Sequence, residues 1–109
     1  MTDLSTEAHE LELFIDNDSY MYKRRTPFLN NMKAKIKRKK YRPALGPKLW
    51  MYFVQEGTRR YGQEILRYGN DKAGLAAGIR EALKTFSPKV RHELAEEYAR
   101  KAEHELGYR

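Results

Sequence analysis

The chain contains no cysteine. That excludes a disulfide framework and any thiolate-held metal, and it favours a reducing compartment. No apolar run approaches the ~20 residues that cross a bilayer. The acidic, polar first residues are the opposite of a secretory signal's basic and then apolar start. Acids are missing altogether from Ser19 to Gln55, a stretch that holds eleven Lys and Arg. Bases are missing from the first eighteen residues, which hold the six acids Asp3, Glu7, Glu10, Glu12, Asp16 and Asp18. Residues 56–109 are mixed in sign, and the net charge is +7. Segregation of this kind concentrates a positive field on one part of a small surface, as a polyanion-binding protein requires.

A chain of 109 residues fits a single domain, 1–109, able to bury a modest core without staples. Its periodicity is helical nearly throughout, and no stretch alternates like a half-buried strand. The expectation is an all-α fold of about five helices. The first covers roughly 6–24, with Leu4, Ala8, Leu11, Phe14, Ile15 and Tyr22 on one stripe and a kink or break at Asn17-Asp18-Ser19. Thr26-Pro27 reads as the cap and first residue of the second, which runs to about Lys40 with Phe28, Leu29, Met32 and Ile36 inward. Tyr41-Arg42-Pro43 stops it.

The third helix starts between Ala44 and Pro47 and reaches about Tyr68. Its stripe is Trp50, Phe53, Val54, Gly57, Tyr61, Ile65 and Tyr68, and Gly57 on that stripe implies a close helix approach. Asp71 caps the fourth helix, and Ser87-Pro88 opens the fifth, which stops at Gly107. Short connections make neighbouring helices pack as hairpins or corners.

The leading binding surface lies on the second helix. Lys33, Lys37 and Lys40 point away from its apolar face, and Lys35, Arg38 and Lys39 flank it. A lysine-rich surface of this kind holds phosphates. Tyr20, Tyr22 and Tyr41 interleave with the charges, where they could stack on bases. The competing reading is a solvated basic face, or one partly neutralised against the acids of residues 7–18. A second patch is expected on the third helix, where Lys48, Tyr52 and Arg59 point opposite Trp50. An outward Tyr between cations suits base stacking or a protein hot spot, and equally an ordinary helix surface.

The signals for chemistry are slight. Glu12 and Asp16 have the i, i+4 spacing of a Mg²⁺ pair, and His92 and Glu96 that of a helical metal pair, but neither finds a third ligand in the sequence. Ser87 is a cap rather than a nucleophile, and no glycine-rich loop cradles phosphate. Glutamates Glu93, Glu96, Glu97, Glu103 and Glu105 unfit the fifth helix for a DNA groove. The expectation is a non-enzyme with no cofactor and no metal.

Three runs carry a resemblance: Glu10 to Tyr22 (ELELFIDNDSYMY), Thr26 to Met32 (TPFLNNM) and Tyr41 to Tyr52 (YRPALGPKLWMY). In this order they resemble a group of small proteins carried by bacteriophages and plasmids. Phe86-Ser-Pro-Lys-Val-Arg91 looks similar too. The shared motifs are structural, so the resemblance implies no catalytic residues. It implies a bacterial cytoplasm and an accessory gene of a mobile element, where small proteins commonly bind nucleic acid or antagonise a host defence complex. Two functions are therefore expected. One is nucleic-acid binding through the basic helix. The other is inhibition of a host defence nuclease complex, in the manner of an anti-CRISPR protein, through an acidic or nucleic-acid-binding surface of the target. A plain assembly module that dimerises through an apolar face is the third possibility. No membrane partner is expected.

Overall fold

The structure, a computed structural model, describes residues 4–108. It is all-α, with no strand among those residues. The elements are α1 (Thr6–Asn17), α2 (Ser19–Lys37), a single 3-10 turn (Pro43–Leu45), α3 (Gly46–Glu64), α4 (Lys72–Thr85) and α5 (Pro88–Glu105).

α3 is the central helix and packs against all four others. Its apolar stripe fixes the core: Trp50, Phe53 and Val54 are fully buried, as are Met32 of α2, Leu94 of α5, and Phe86 directly after α4. The rings interlock edge to face, with Trp50 and Phe53 at 5.3 Å, Phe53 and Tyr98 at 5.3 Å, and Tyr61 and Phe86 at 4.9 Å. Trp50 Nε1–H donates to the Met32 sulfur at 3.5 Å, so the buried indole keeps a partner. Tyr98 reaches out of the core to donate its hydroxyl to Asp16 at 2.9 Å. Burial, and then the Asp16 carboxylate, push the Tyr98 phenol far above its ordinary value.

Two glycines let α3 approach its neighbours. A Cβ on Gly57 would stand 2.5 Å from Ile15 Cδ1 of α1, which bears out the close approach expected there. A Cβ on Gly62 would stand 2.5 Å from the Gly78 carbonyl oxygen, so α3 and α4 cross backbone to backbone.

Capping sets most boundaries. Ser5, Asp71 and Ser87 accept from the N–H three residues on. The break expected at Asn17-Asp18-Ser19 is present, but the helix that follows it departs from expectation. The break falls at Asp18, whose carboxylate accepts from Met21 N, and α2 runs unbroken through Thr26-Pro27. Thr26 is therefore not a cap. Pro27 removes one helical hydrogen bond in mid-helix, at the exposed Lys23 carbonyl. Burial of Met21, one turn before the expected start, ties the earlier segment into the same helix.

Two helix ends also differ. α2 stops at Lys37 rather than Lys40. The Lys39 N–H bonds to the Ile36 carbonyl at 3.0 Å and the Lys40 N–H to the Lys35 carbonyl at 2.8 Å, with Lys39 at φ 59°. This is a Schellman closure in which lysine takes the left-handed position usually given to glycine. α3 stops at Glu64 rather than Tyr68, so Ile65 and Tyr68 leave the stripe and are exposed, as is Tyr22 after the Asp18 break.

Candidate nucleic-acid interface

α2 lies at the side of the molecule, antiparallel to α3. Tyr20 and Arg24 meet Glu56, while Phe28 and Met32 meet Trp50. Its charges divide into two groups along the helix. In the first group Arg24 pairs with Glu56 at 3.0 Å and Arg25 with Glu105 at 3.1 Å, while Lys23 is exposed and forms no ion pair among the described residues. The second group begins at Lys33. Lys33, Lys35, Lys37, Arg38, Lys39 and Lys40 are all exposed, and none forms an ion pair among the described residues.

The acids of α1 do not screen that second group. Glu12 pairs with Lys101 of α5 at 2.8 Å, Asp16 accepts from Tyr98, and Glu10 accepts from Tyr61 of α3 at 3.3 Å. Asp18 pairs with Arg60 of α3. The expected screening of the basic helix by residues 7–18 is thus replaced by bonds to α3 and α5. The reason is geometric: the face of α1 carrying Leu11 and Ile15 is buried in the core, which brings its acids to the two helices beside it. Glu7, in the first turn of α1, is exposed and forms no ion pair among the described residues, and Asp3 lies outside those residues. The Glu12 link holds Lys101 protonated above its ordinary value, against the opposing effect of burial.

The tyrosines expected to stack are placed differently from one another. Tyr41 is buried and donates its hydroxyl to Glu103 at 2.7 Å, so it is a core residue and not a stacking platform. Its hydroxyl sits under Gly46, where the chain turns from the 3-10 turn into α3. Tyr20 is bonded to Glu56, and the Arg60 guanidinium lies 4.7 Å from its ring centre, so its face is taken. Tyr22 is 70% exposed, but on the α5 side of α2, lining a cavity of about 230 Å³ with Arg25 and Lys101.

On α3, Lys48, Tyr52 and Arg59 are exposed as expected. The structure does not gather them into one patch. Lys48 lies two residues before Trp50, on the side of α3 opposite the ring that meets Met32. Tyr52 is 70% exposed and edges a shallow groove with Lys48, Met51 and His92. Arg59 is about three turns further along α3, in a depression shared with Tyr20, Glu56 and Arg60. Lys48 and Tyr52 thus share a groove with His92 of α5, whereas Arg59 lies with Tyr20 and Glu56 at the other end of α3.

Of the two possible metal pairs, only the first is tied to other residues. Glu12 is held by Lys101, and His92 lies 3.2 Å from Glu96 on an exposed turn of α5. No group of three His, Cys, Asp or Glu able to hold a metal occurs among the described residues. Among the described residues no helix is long and apolar enough to cross a membrane.

Two features of this surface are legible only in three dimensions. One is the left-handed Lys39. The other is the pair Asn30 and Asn31, exposed and without a hydrogen-bond partner among the described residues. Asn is a poor helix former, and an Asn-Asn dipeptide inside a helical pattern was the available signal. Compared with protein-family models, curated proteins and solved structures, the chain matches none.

Proposed function

We propose that this chain is a small non-catalytic accessory protein of a bacterial mobile element that binds nucleic acid through the cationic end of α2. The observation that carries the reading is the uncompensated charge from Lys33 to Lys40. Acids are present in number, yet they neutralise Arg24, Arg25, Arg60 and Lys101 and leave these six cations open. An unpaired cluster of this density repels itself, and phosphates relieve that repulsion while releasing condensed counterions. On α3, Lys48 adds a further open cation, and Tyr52 beside it offers a ring for stacking.

A titration of the protein with labelled duplex DNA, single-stranded DNA and RNA at ~50 and ~200 mM salt tests the reading, since phosphate binding weakens steeply over that range. Salt-sensitive binding supports it. Absence of binding at the lower salt removes it.

The exposed Tyr52 favours a second reading. A tyrosine flanked by Lys48 and by the Met51–His92 groove has the make-up of a protein hot spot. Under this reading the protein antagonises a host defence nuclease complex, and the basic face of α2 occupies a surface of the target that otherwise holds nucleic acid. Tyr52→Ala abolishing capture of such a complex, with nucleic-acid binding unchanged, would separate it from the first.

A further inference from the structure

We infer that the end of α2 is a groove-reading helix: it seats in the major groove of duplex DNA, with Asn30 and Ala34 against base edges. The inference rests on the nucleic-acid reading above and specifies its substrate and its mode of contact.

The argument begins with the angular layout of α2. Met32 is fully buried and marks the inward direction. At about 100° per residue, Asn30 and Ala34 each stand about 160° around from Met32, at the outward pole. Both are exposed. Lys33 and Lys37 lie on one side of that pole, about 80° and 40° from it, and Arg38 and Lys35 on the other, about 60° and 120° from it. At the helix end the outermost line is therefore neutral, with cations on both sides of it.

A flat phosphate-tracking surface has no use for that arrangement, because a single strand or one backbone meets only one row. A groove does have a use for it. The B-DNA major groove is about 12 Å wide and admits an α-helix, placing one phosphate backbone on each side and base edges at the floor. A helix of about 10–12 Å fills it. The neutral line then meets the bases, where the chemistry of its residues fits. An Asn amide pairs bidentately with adenine N6 and N7, and an Ala methyl packs on the thymine methyl.

Two independent observations agree with this placement. Asn30 sits inside a helix, where Asn is disfavoured, and its exposed side chain makes no hydrogen bond within the fold among the described residues. No acid lies on α2, whose tip would otherwise repel both backbones. The deep, narrow major groove of A-form RNA does not admit the helix, so RNA duplex should be the poorer ligand.

The test uses the full chain with 20-bp DNA duplexes, the matching single strands and a 20-bp RNA duplex, after selection of preferred sites from a randomised DNA duplex pool. Three results are expected. DNA duplex binds tighter than single strand or RNA duplex. Asn30→Ala loses about tenfold in preference for the selected site while binding to unselected duplex is little changed. Lys33→Gln with Lys37→Gln, and Lys35→Gln with Arg38→Gln, each weaken all duplexes and each flatten the salt slope by about two units, one per lost contact. All five positions are exposed, so circular dichroism should show unaltered helix. A preference for single strands or RNA, a salt slope that responds to only one of the two lysine rows, or a base preference untouched by Asn30→Ala overturns the groove inference and leaves nucleic-acid binding standing. No binding to any of the three ligands removes both.

Discussion

Asp18 joins the first three helices through a single carboxylate. One oxygen accepts from the Met21 N–H at 3.0 Å and so starts α2; both oxygens meet the Arg60 guanidinium of α3, at 2.9 and 3.0 Å. Burial pushes this carboxyl up, but the bonds from Arg60 and Met21 outweigh it and hold it below the ordinary carboxylate value. A depressed value in the folded state stabilises the fold above the unfolded value of about 3.9, and that stabilisation is lost as pH falls through the folded value. Asp18→Asn should therefore flatten the loss of stability below about pH 4. Asp18→Ala should cost in addition the cap, about 1 kcal/mol. Urea midpoints from pH 2 to 7 check both. Parallel acid limbs for parent and Asp18→Asn would show that the Arg60 link does not act on stability.

The Gly62–Gly78 crossing predicts a sign opposite to helix propensity. Alanine is better than glycine in a helix by about 1 kcal/mol. A Cβ at position 62 would nevertheless meet backbone, at 2.5 Å from the Gly78 oxygen and 2.7 Å from Ile79 Cα. Backbone cannot rotate aside as a side chain can, so α4 must move. Gly62→Ala should destabilise by about 1–3 kcal/mol. A thermal midpoint at or above the parent's would mean that the helices separate at no cost.

Trp50 is the largest fully buried side chain, enclosed by Phe28, Phe53, Tyr98 and the Met32 sulfur. Trp50→Ala should cost about 3–5 kcal/mol. As the protein's single tryptophan, it should emit in the blue when folded and shift red in denaturant. Native emission matching free indole would contradict this packing.

Much of this fold was readable in the chain because the signals were local. The apolar stripe of α3, the caps at Asp71 and Ser87 and the Gly107 stop each depend on residues within a turn or two. What was not readable depended on residues far apart. Thr26-Pro27 has the local form of a helix start, but Asp18, anchored by Arg60 forty-two positions away, starts the helix earlier. Tyr41 sits among lysines in sequence and in the core in space, because Glu103, sixty-two positions on, accepts its hydroxyl. The same holds for the candidate site. An excess of cations between residues 19 and 55 is plain from composition. Which cations stay open is decided by Glu56 and Glu105, and neither lies in that stretch. Asn30 is less legible, because an uncharged residue among lysines gains meaning only from its place on the helix.

Lys39 sets stability against binding. A non-glycine residue at φ 59° costs roughly 1–2 kcal/mol relative to the right-handed region, a cost glycine does not bear. Lys39→Gly should raise stability by about 1 kcal/mol and, on the proposed function, weaken nucleic-acid binding by removing a phosphate contact. Lys39→Asn separates the two effects, since Asn tolerates the left-handed region and carries no charge. It should bind as weakly as the glycine variant. Higher stability with undiminished affinity in both would show that the strain at Lys39 serves no phosphate.

Salt dependence gives the quantitative check on the cationic end. With roughly five phosphates neutralised, log K should fall with log salt at a slope of about −4 on duplex and about −3 on single strands. Lys33, Lys37 and Lys40 are exposed and unpaired among the described residues, and the α2 end they share is held by Met32 and Ile36 rather than by charge. Changing all three to Gln should leave the helical spectrum and the melting midpoint essentially as in the parent. Binding should weaken about equally across sequences, and the slope should flatten by two to three units, roughly one per lost contact. Lys40 follows the left-handed Lys39 and so lies off the helical face of the other two. Restoring it alone therefore asks whether phosphate contact extends past the helix end. An unchanged affinity in the triple variant would move the interface to the exposed Lys48, Tyr52 and Arg59 of α3.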